Sequence, residues 1–233
     1  VMGRLLSSQQ AEQIKRFTYD ANGLLTQSTL ANGSTIDYEY DTASRLIAMV
    51  DSLGNRLDYQ LDAAGNRLQT QAKDINGSLQ QTQQQLFDEF SRLSTVINGK
   101  GDSVNLTYAA NGSLTDTTDA LSNKTRNSYD ALGRLAAIHD PNNGQTQYGY
   151  DAAGRTDSIT DASGLKTTYR YNGFGEKTQQ ISPDTGETLY GYDSAGNLTS
   201  ETDARGITVS YDYDALNRLI ATRYPESSEN ITF

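Results

Sequence analysis

Aromatic or leucine side chains recur along this chain at a fixed interval. The positions are Tyr19, Tyr40, Leu61, Phe87, Tyr108, Tyr129, Tyr150, Tyr171, Tyr192 and Tyr213. Neighbouring positions are 21 residues apart, except for Leu61 and Phe87, which are 26 apart. A constant period of this length indicates stacked copies of one small unit, which can bury its apolar side only against its neighbours.

A second alternation lies just before the 21-residue position. Aromatic residues stand two apart in six repeats: Phe17 and Tyr19, Tyr38 and Tyr40, Tyr148 and Tyr150, Tyr169 and Tyr171, Tyr190 and Tyr192, and Tyr211 and Tyr213. This spacing puts both rings on one face of a β-strand, and the residues between them are polar or glycine. In the strand that follows, Leu135 and Ile138 have opposite parity, so either a bulge intervenes or both faces are partly covered. We expect Tyr40, Tyr150, Tyr171, Tyr192 and Tyr213 to form one well-buried row on one sheet face.

Each aromatic position is followed by a turn signature. The clearest copies are Tyr129-Asp130-Ala131-Leu132-Gly133-Arg134, Tyr150-Asp151-Ala152-Ala153-Gly154-Arg155 and Tyr192-Asp193-Ser194-Ala195-Gly196-Asn197. Asp accepts a backbone N–H inside such a turn, and Gly three residues later supplies the positive φ of a G1-bulge hairpin. A second turn follows about ten residues on, as Asp51-x-x-Gly54, Asp161-x-x-Gly164 and Asp203-x-x-Gly206. The predicted fold is therefore all-β, made of tandem 21-residue β-hairpin repeats that pair antiparallel.

The repeats cover the whole chain, with local departures. Residues 1–233 are predicted to be one array of about ten repeats, cut within a repeat at both ends. Alanine and asparagine replace the turn Asp after Tyr108 and Tyr171, and Ser44, Ser91 and Asn217 replace the turn Gly. The five extra residues before Phe87 predict a longer loop around residues 69–85.

Composition and charge exclude several functional classes. The net charge of -10 is opposite to what a nucleic-acid partner requires. The chain contains no cysteine, so neither a disulfide nor a thiolate metal site is expected. No run of 18 apolar residues occurs, so this segment is not expected to insert into a membrane. Residues 1–10 contain no apolar core of a signal peptide.

Candidate chemistry is sparse, and we predict no catalytic, cofactor-binding or metal-binding residue. Asp184-Thr185-Gly186 copies the tripeptide of aspartic proteases, but it stands near an expected turn and has no second copy. His139 is the only histidine, which excludes a two-histidine metal site, and it is interpreted as a turn residue. Each Asp turn offers one carboxylate, whereas calcium loops need several converging oxygens. The turn arginines are expected to pair with carboxylates of adjacent hairpins; they are Arg45, Arg92, Arg134, Arg155 and Arg218.

The motif Tyr-Asp-x-x-Gly-Arg-Leu in a 21-residue period resembles the YD repeat of the RHS family, over essentially the whole chain. That family includes bacterial Rhs and wall-associated polymorphic toxins, the C component of insecticidal ABC toxins, and the teneurins. The resemblance implies a continuous spiralling sheet, a segment of a hollow β shell. The structural positions of the motif are Tyr19, Asp20, Gly23, Tyr40, Asp41, Tyr129, Asp130, Gly133, Arg134, Tyr150, Asp151, Gly154, Arg155, Tyr171, Gly175, Tyr192, Asp193, Gly196, Tyr213 and Asp214.

The same resemblance implies a function without enzymatic activity. The segment would help a shell to enclose and deliver a C-terminal toxin carried elsewhere in a secreted or cell-surface bacterial parent protein. Its expected partners are the rest of that shell, the enclosed toxin, and neighbouring copies that pair with exposed strand edges. The alternative is a cell-surface array that binds carbohydrate or adheres through exposed tyrosines.

Overall fold

The computed structural model describes residues 3–10 and 13–233. The chain divides into two compact units, Val1–Asn123 and Lys124–Phe233. Within the described residues there is no α-helix, and the only helical element is a three-residue 3-10 turn at Ser227–Glu229. The all-β prediction is confirmed.

The first unit is an antiparallel meander in which every strand pairs with the next one along the chain. Consecutive strands joined by tight turns pair with each other because a short connection leaves them adjacent and antiparallel. Its strands are β1 (Ser7–Gln10), β2 (Gln13–Tyr19), β3 (Leu25–Thr29), β4 (Thr35–Tyr40), β5 (Leu46–Asp51), β6 (Arg56–Leu61), β7 (Arg67–Lys73), β8 (Leu79–Phe87), β9 (Leu93–Asn98), β10 (Ser103–Tyr108) and β11 (Leu114–Thr118).

The second unit repeats this arrangement, again with antiparallel pairing of sequential strands. Two strands are gained for each 21 residues, as the period predicts. Its strands are β12 (Lys124–Tyr129), β13 (Leu135–His139), β14 (Gln145–Tyr150), β15 (Thr156–Thr160), β16 (Lys166–Tyr171), β17 (Lys177–Ser182), β18 (Gly186–Tyr192), β19 (Leu198–Thr202), β20 (Thr208–Tyr213), β21 (Leu219–Arg223) and β22 (Ile231–Thr232).

A β-bulge after each first turn resolves the parity of the leaving strand. Tyr129 pairs with Leu135, whereas its neighbour Ser128 pairs with Ala137, so Ala136 is an extra residue. Ile138 then lies opposite Asn127, two residues before Tyr129. Because side chains alternate along a strand, Leu135 and Ile138 share the tyrosine face. Of the two alternatives that the sequence left open, the bulge is therefore observed.

The five extra residues do not form the long loop expected around residues 69–85. They lengthen one hairpin, because β7 and β8 contain seven and nine residues and the turn between them is only Asp74 to Ser78. A register shift between Ala72 and Lys73 accommodates one of the extra residues as a bulge. Mainly glutamine and threonine side chains continue the strands with paired backbone, which costs less than leaving it unpaired.

The expectation of well-buried tyrosines is wrong. Tyr40, Tyr150, Tyr171, Tyr192 and Tyr213 are all half-buried. The apolar side chains that are buried among the described residues are Ala48, Tyr59, Ala137 and Ala221, and no large side chain is fully enclosed. These hairpins are therefore held together by contacts between neighbouring strands, without an enclosed core.

Candidate functional site: the tyrosine–arginine ladder

The first turn of each repeat is built around one carboxylate. Asp151 Oδ1 accepts the backbone N–H groups of Ala153 and Arg155, at 2.9 and 3.0 Å. The N–H of Asp151 donates to the Arg155 carbonyl, and the N–H of Gly154 donates to the Asp151 carbonyl. Asp41, Asp130, Asp193 and Asp214 make the same pair of Oδ1 bonds, and Asp20 accepts the N–H of Leu24.

The glycine position of this turn has a left-handed backbone throughout. The motif glycines have φ values of 93° for Gly23, 76° for Gly133, 82° for Gly154, 89° for Gly175 and 85° for Gly196. Ser44, Ser91 and Asn217, which replace glycine, take φ values of 63°, 58° and 59°. The G1-bulge turn thus imposes its backbone on residues that rarely adopt it.

Where the turn carries arginine, that side chain closes onto its own turn. Arg155 Nε donates to Asp151 Oδ2 at 2.7 Å, and Arg45, Arg92, Arg134 and Arg218 pair in the same way with the Asp four residues earlier. The expectation that these arginines pair with carboxylates of adjacent hairpins is wrong. The Asp of the same turn lies only four residues away, and the tight turn holds its carboxylate within ion-pair distance of the guanidinium.

The same guanidinium then reaches the next hairpin through other groups. Arg155 Nη1 donates to the Asn172 carbonyl at 3.0 Å, and its guanidinium carbon lies 4.7 Å from the centre of the Tyr171 ring. Arg92 over Tyr108 and Arg134 over Tyr150 repeat the ring contact, at 4.7 and 4.3 Å. These distances fit cation–π attraction.

Each tyrosine hydroxyl completes the link between hairpins. Tyr171 Oη donates to the Thr156 carbonyl at 2.8 Å, and that carbonyl belongs to the residue paired with Tyr150 of the preceding repeat. The same bond to a carbonyl 15 residues earlier is made by Tyr40, Tyr108, Tyr150 and Tyr192, at 2.7–3.0 Å. We call this recurring set of ring, hydroxyl and guanidinium contacts the tyrosine–arginine ladder. Sequence reasoning missed the hydroxyl bond, although the preference for Tyr over Phe at the repeat position was its signal.

Electrostatics of the ladder follow from these bonds. Hydrogen bonds from the Arg155 side chain, and then from backbone N–H groups, hold the pKa of the Asp151 carboxyl below its usual range although burial opposes them. Backbone and side-chain bonds from Arg134 lower the pKa of Asp130 in the same way. Burial raises the pKa of the Tyr40 and Tyr192 phenols. At neutral pH these carboxyls are ionised and these phenols are neutral, and the shifts widen that margin.

A separate ion cluster lies on the opposite face of the first unit. Arg56 binds both carboxylate oxygens of Glu39 at 2.6 and 2.7 Å and also contacts Asp58, which Lys73 approaches at 2.8 Å. Glu39 and Asp58 are the residues paired on either side of the fully buried Ala48. The hydrogen bond from Arg56 lowers the pKa of Glu39. The charged residues come from β4, β6 and β7 and cross above Ala48 of β5, which suits a structural clamp.

The remaining candidates for chemistry stay apart from one another. Asp184 is exposed in the turn between β17 and β18, and its N–H contacts Ser182 Oγ at 3.3 Å. His139 is not a turn residue but the last residue of β13, and its buried Nδ1 has no hydrogen-bond partner among the residues that the structure describes. Among the residues that the structure describes, no three His, Cys, Asp or Glu side chains converge as metal ligands. No described helix has the length and apolar character needed to cross a membrane.

Comparisons with known proteins agree with this geometry. The signature of the Teneurin YD-shell family matches residues 66–186 and 91–233, and that of the RHS Repeat family matches residues 19–56. No curated protein sequence matches the chain.

Two solved toxin structures share the fold. The TcdB2-TccC3 crystal structure superposes with a TM-score of 0.69 at 17% identity, covering 99% of this chain and 16% of that one. The Photorhabdus luminescens Tc holotoxin pore gives a TM-score of 0.68 at 17% identity, with the same coverage. The chain therefore spans about a sixth of the length of these structures. The family signature covers well over half of the chain, which is accordingly a member of the Teneurin YD-shell family.

Proposed function

We propose that this chain is a wall segment of a YD shell that encloses a toxin carried elsewhere in the same parent protein, and that it has no enzymatic activity of its own. The observation that carries the proposal is the tyrosine–arginine ladder. Its hydroxyl, guanidinium and carboxylate groups bind backbone carbonyls, N–H groups and each other, which fastens hairpin to hairpin. A wall needs such links between repeats and needs no reactive group.

Two further observations support a wall rather than an enzyme. The carboxyls with lowered pKa values are held either by turn bonds, as at Asp151 and Asp130, or by the ion cluster, as at Glu39 and Asp58. The fold is also shared with chains of the TcdB2-TccC3 toxin complex. A secreted or cell-surface location of the parent protein is part of the proposal, and it is supported by the match to the Teneurin YD-shell family and by the fold shared with a Tc holotoxin pore.

The test uses the full-length parent protein and limited proteolysis. In the intact protein, the C-terminal toxin should resist protease. Deletion of residues 129–170, two whole repeats, should shorten the wall and expose the toxin to cleavage. A control variant replaces the deleted repeats with a second copy of residues 171–212, which restores the length and should restore protection. Equal cleavage of the toxin in the intact and shortened proteins would refute the enclosure.

A carbohydrate-binding array remains the second candidate, because the rings of Tyr148, Tyr169, Tyr190 and Tyr211 stay half-exposed on one face. Aromatic faces of this kind suit stacking on sugars. A glycan array probed with the intact chain separates the two candidates. Binding that is lost on Tyr190→Ala but kept on Leu132→Ala, at an exposed turn tip away from that face, would favour the second.

A further inference from the structure

Large apolar side chains stand at the tip of every second first turn in the second unit. They are Leu132, Phe174 and Leu216, which lie 42 residues apart, each three residues after a repeat tyrosine. Their exposed fractions are 77%, 94% and 73%. In the sequence, Phe90 stands a further 42 residues before Leu132, at the same turn position. Single exposed apolar residues are common on any protein, but a set with a fixed period on one edge indicates an interaction surface.

The first turns between them carry small side chains at the same position. These are Ala153 and Ala195, which are also exposed. In all five turns the N–H of this residue donates to Oδ1 of the first turn residue, at 2.9–3.0 Å, so the five turns share one geometry. Two strands about 4.8 Å apart separate successive first turns, so the tips follow at about 10 Å and the large ones at about 19 Å. We call this edge the tip row; its members are Leu132, Ala153, Phe174, Ala195 and Leu216.

The opposite edge of the second unit has a different character. Its second turns carry Asn142, Ser163 and Arg205 at the equivalent position, and the N–H of each donates to an Asp Oδ1 atom in the same way. Arg205 is ion-paired with Asp203 of its own turn. Burial of an apolar side chain gains most against another apolar surface. Within this unit, the tip row is therefore a better partner for another tip row than the polar edge is.

The alternation of large and small side chains makes the tip row complementary to a second copy of itself. A two-fold axis between the turns after Tyr150 and Tyr171 reverses the order of the turns. Phe174 then lies opposite Ala153 of the second copy, and Leu132 lies opposite its Ala195. The same contacts form in both directions, as in an isologous dimer. A register that sets large side chains against each other would hold the two edges apart and leave voids beside the alanines.

The charges of the turns select this register. The turns that begin at Asp130 and Asp151 each contain an Asp–Arg ion pair. Turns 172–176 and 193–197 instead contain a carboxylate, Glu176 or Asp193, and no arginine. One other register sets large against small over four turns, with the axis one repeat further along, but it brings these two acidic turns of the two copies together. With the axis between Tyr150 and Tyr171, each acidic turn faces an ion-paired one.

We propose that the tip row joins two copies of this chain edge to edge, with Phe174 and Leu132 of each copy seated on the alanine turns of the other. The contact goes beyond the wall function, because it joins two walls and encloses nothing. Four turns of each copy would bury about 1,000 Å² in total, of which each Phe174 supplies about 200 Å². This area is at the lower limit for a specific interface, so the expected dimer is weak, with a Kd of about 10–100 µM.

Analytical ultracentrifugation of the full chain, from about 1 µM to about 500 µM, measures the dimer. Leu132→Ser combined with Phe174→Ser should raise its Kd at least about tenfold, because the projections are lost. The matched control combines Leu53→Ser with Leu121→Ser. These leucines have the same turn position and N–H bond, are 69% and 82% exposed, and stand in second turns of the first unit. The control should leave the Kd unchanged.

Three outcomes of this experiment would overturn the proposal. The first is a chain that stays monomeric over the whole range. The second is a dimer that the Leu132 and Phe174 substitutions leave intact, because its contacts would then lie elsewhere, such as at the terminal strand edges. The third is a dimer that the control pair weakens as much as the tip-row pair does, because the contact would then join unlike edges.

Disulfide cross-linking tests the register, since the natural chain contains no cysteine. An equal mixture of Ala153→Cys and Phe174→Cys chains, oxidised in air above the Kd, should give mainly the mixed disulfide dimer, because the two positions face each other across the axis. A mixture of Ser163→Cys and Phe174→Cys chains is the control, with one thiol on the opposite edge, and should give no such excess. Phe174→Cys chains that preferentially cross-link with themselves would show that like turns face each other, and would overturn the proposal.

Discussion

The repeats around Tyr150 and Tyr171 and the repeat around Leu61 form the same hairpin with different side chains. At Tyr171 the ring lies under Arg155 and the hydroxyl binds the Thr156 carbonyl. At Leu61 there is no hydroxyl, yet Arg45 Nη1 still donates to the Asp62 carbonyl at 2.7 Å. Both hairpins keep the turn, the bulge and the register of strand pairing. The backbone pattern therefore does not depend on tyrosine. The tyrosine adds a hydroxyl hydrogen bond and a ring contact between neighbouring hairpins.

The Leu61 region is strengthened by other means. Arg67 lies 3.7 Å from the centre of the Tyr59 ring, which is itself buried, and the cluster of Glu39, Arg56 and Asp58 spans the neighbouring strands. The longer strands β7 and β8 also add paired residues between neighbouring strands. An array can thus replace one kind of link between hairpins with another, provided that each hairpin is tied to both neighbours.

The largest expected effect comes from removing the Tyr171 side chain. Tyr171→Ala should lower the free energy of unfolding by about 2 kcal/mol, less than the 3–5 typical of a buried aromatic because the ring is half-exposed. Leu61→Ala should lower it by about 1 kcal/mol, since a half-buried leucine loses less area and no hydrogen bond. Urea unfolding of both variants measures the difference. Equal losses would mean that the ladder adds nothing beyond apolar contact.

The hydroxyl contribution can be tested alone at the same two positions. Tyr171→Phe keeps the ring and removes the bond to the Thr156 carbonyl, which should cost about 1 kcal/mol. Leu61→Tyr places a hydroxyl where Arg45 already borders the site and should stabilise the chain by up to about 1 kcal/mol. A neutral Tyr171→Phe in urea unfolding would show that water replaces the carbonyl bond without loss.

Much of the fold follows from the sequence because the signal is repeated about ten times. The Asp and Gly positions fix the turns, and the spacing of Tyr169 and Tyr171 fixes a strand face, so the order and type of the elements were predictable. The depth of burial was not, because alternation reports which face a side chain takes and not what covers it. The Arg155 guanidinium lies over the Tyr171 ring, and the side chain nevertheless stays half-exposed.

The details of the ladder were less predictable, for two physical reasons. Arg155 has carboxylates within reach by sequence in several hairpins, and only the folded turn shows that Asp151 is the nearest. The extra residues before Phe87 are rich in glutamine, which suits a loop and an exposed strand alike. Pairing with β7 and β9 decides in favour of the strand.

Substitutions at the glycine position of the turn should have smaller effects on stability, destabilising at one turn and stabilising at another. Gly133→Ala should cost about 1 kcal/mol, because φ is 76° and a Cβ there meets no atom within 4 Å, so only backbone strain is added. Ser91→Gly removes strain at a φ of 58° and should be stabilising by up to about 1 kcal/mol, offset in part by the greater freedom of glycine in the unfolded chain. Thermal unfolding of both variants checks the signs. A stabilising Gly133→Ala would mean that the turn can reshape.

The smallest expected effect is a pH-dependent change that distinguishes a turn built on an aspartate carboxylate from one built on an asparagine amide. Hydrogen bonds, chiefly from Arg155, depress the folded-state pKa of Asp151 below the unfolded value of about 3.9. The ionised Asp151 carboxylate therefore stabilises the folded state above a pH of about 3.9. This stabilisation is lost as the pH falls through the folded-state pKa. The N–H of Ala153 binds Asp151 Oδ1, whereas in the next repeat the N–H of Phe174 binds Asn172 Oδ1, an amide that does not titrate. In an NMR titration from pH 7 to about 2, the Ala153 amide should move with a midpoint below 3.9, and the Phe174 amide should show no such step. Asp151→Asn should abolish the step at Ala153. A midpoint at or above 3.9 would show that the bonds from Arg155 do not favour the charged carboxylate, and the turn would then be held by its backbone alone.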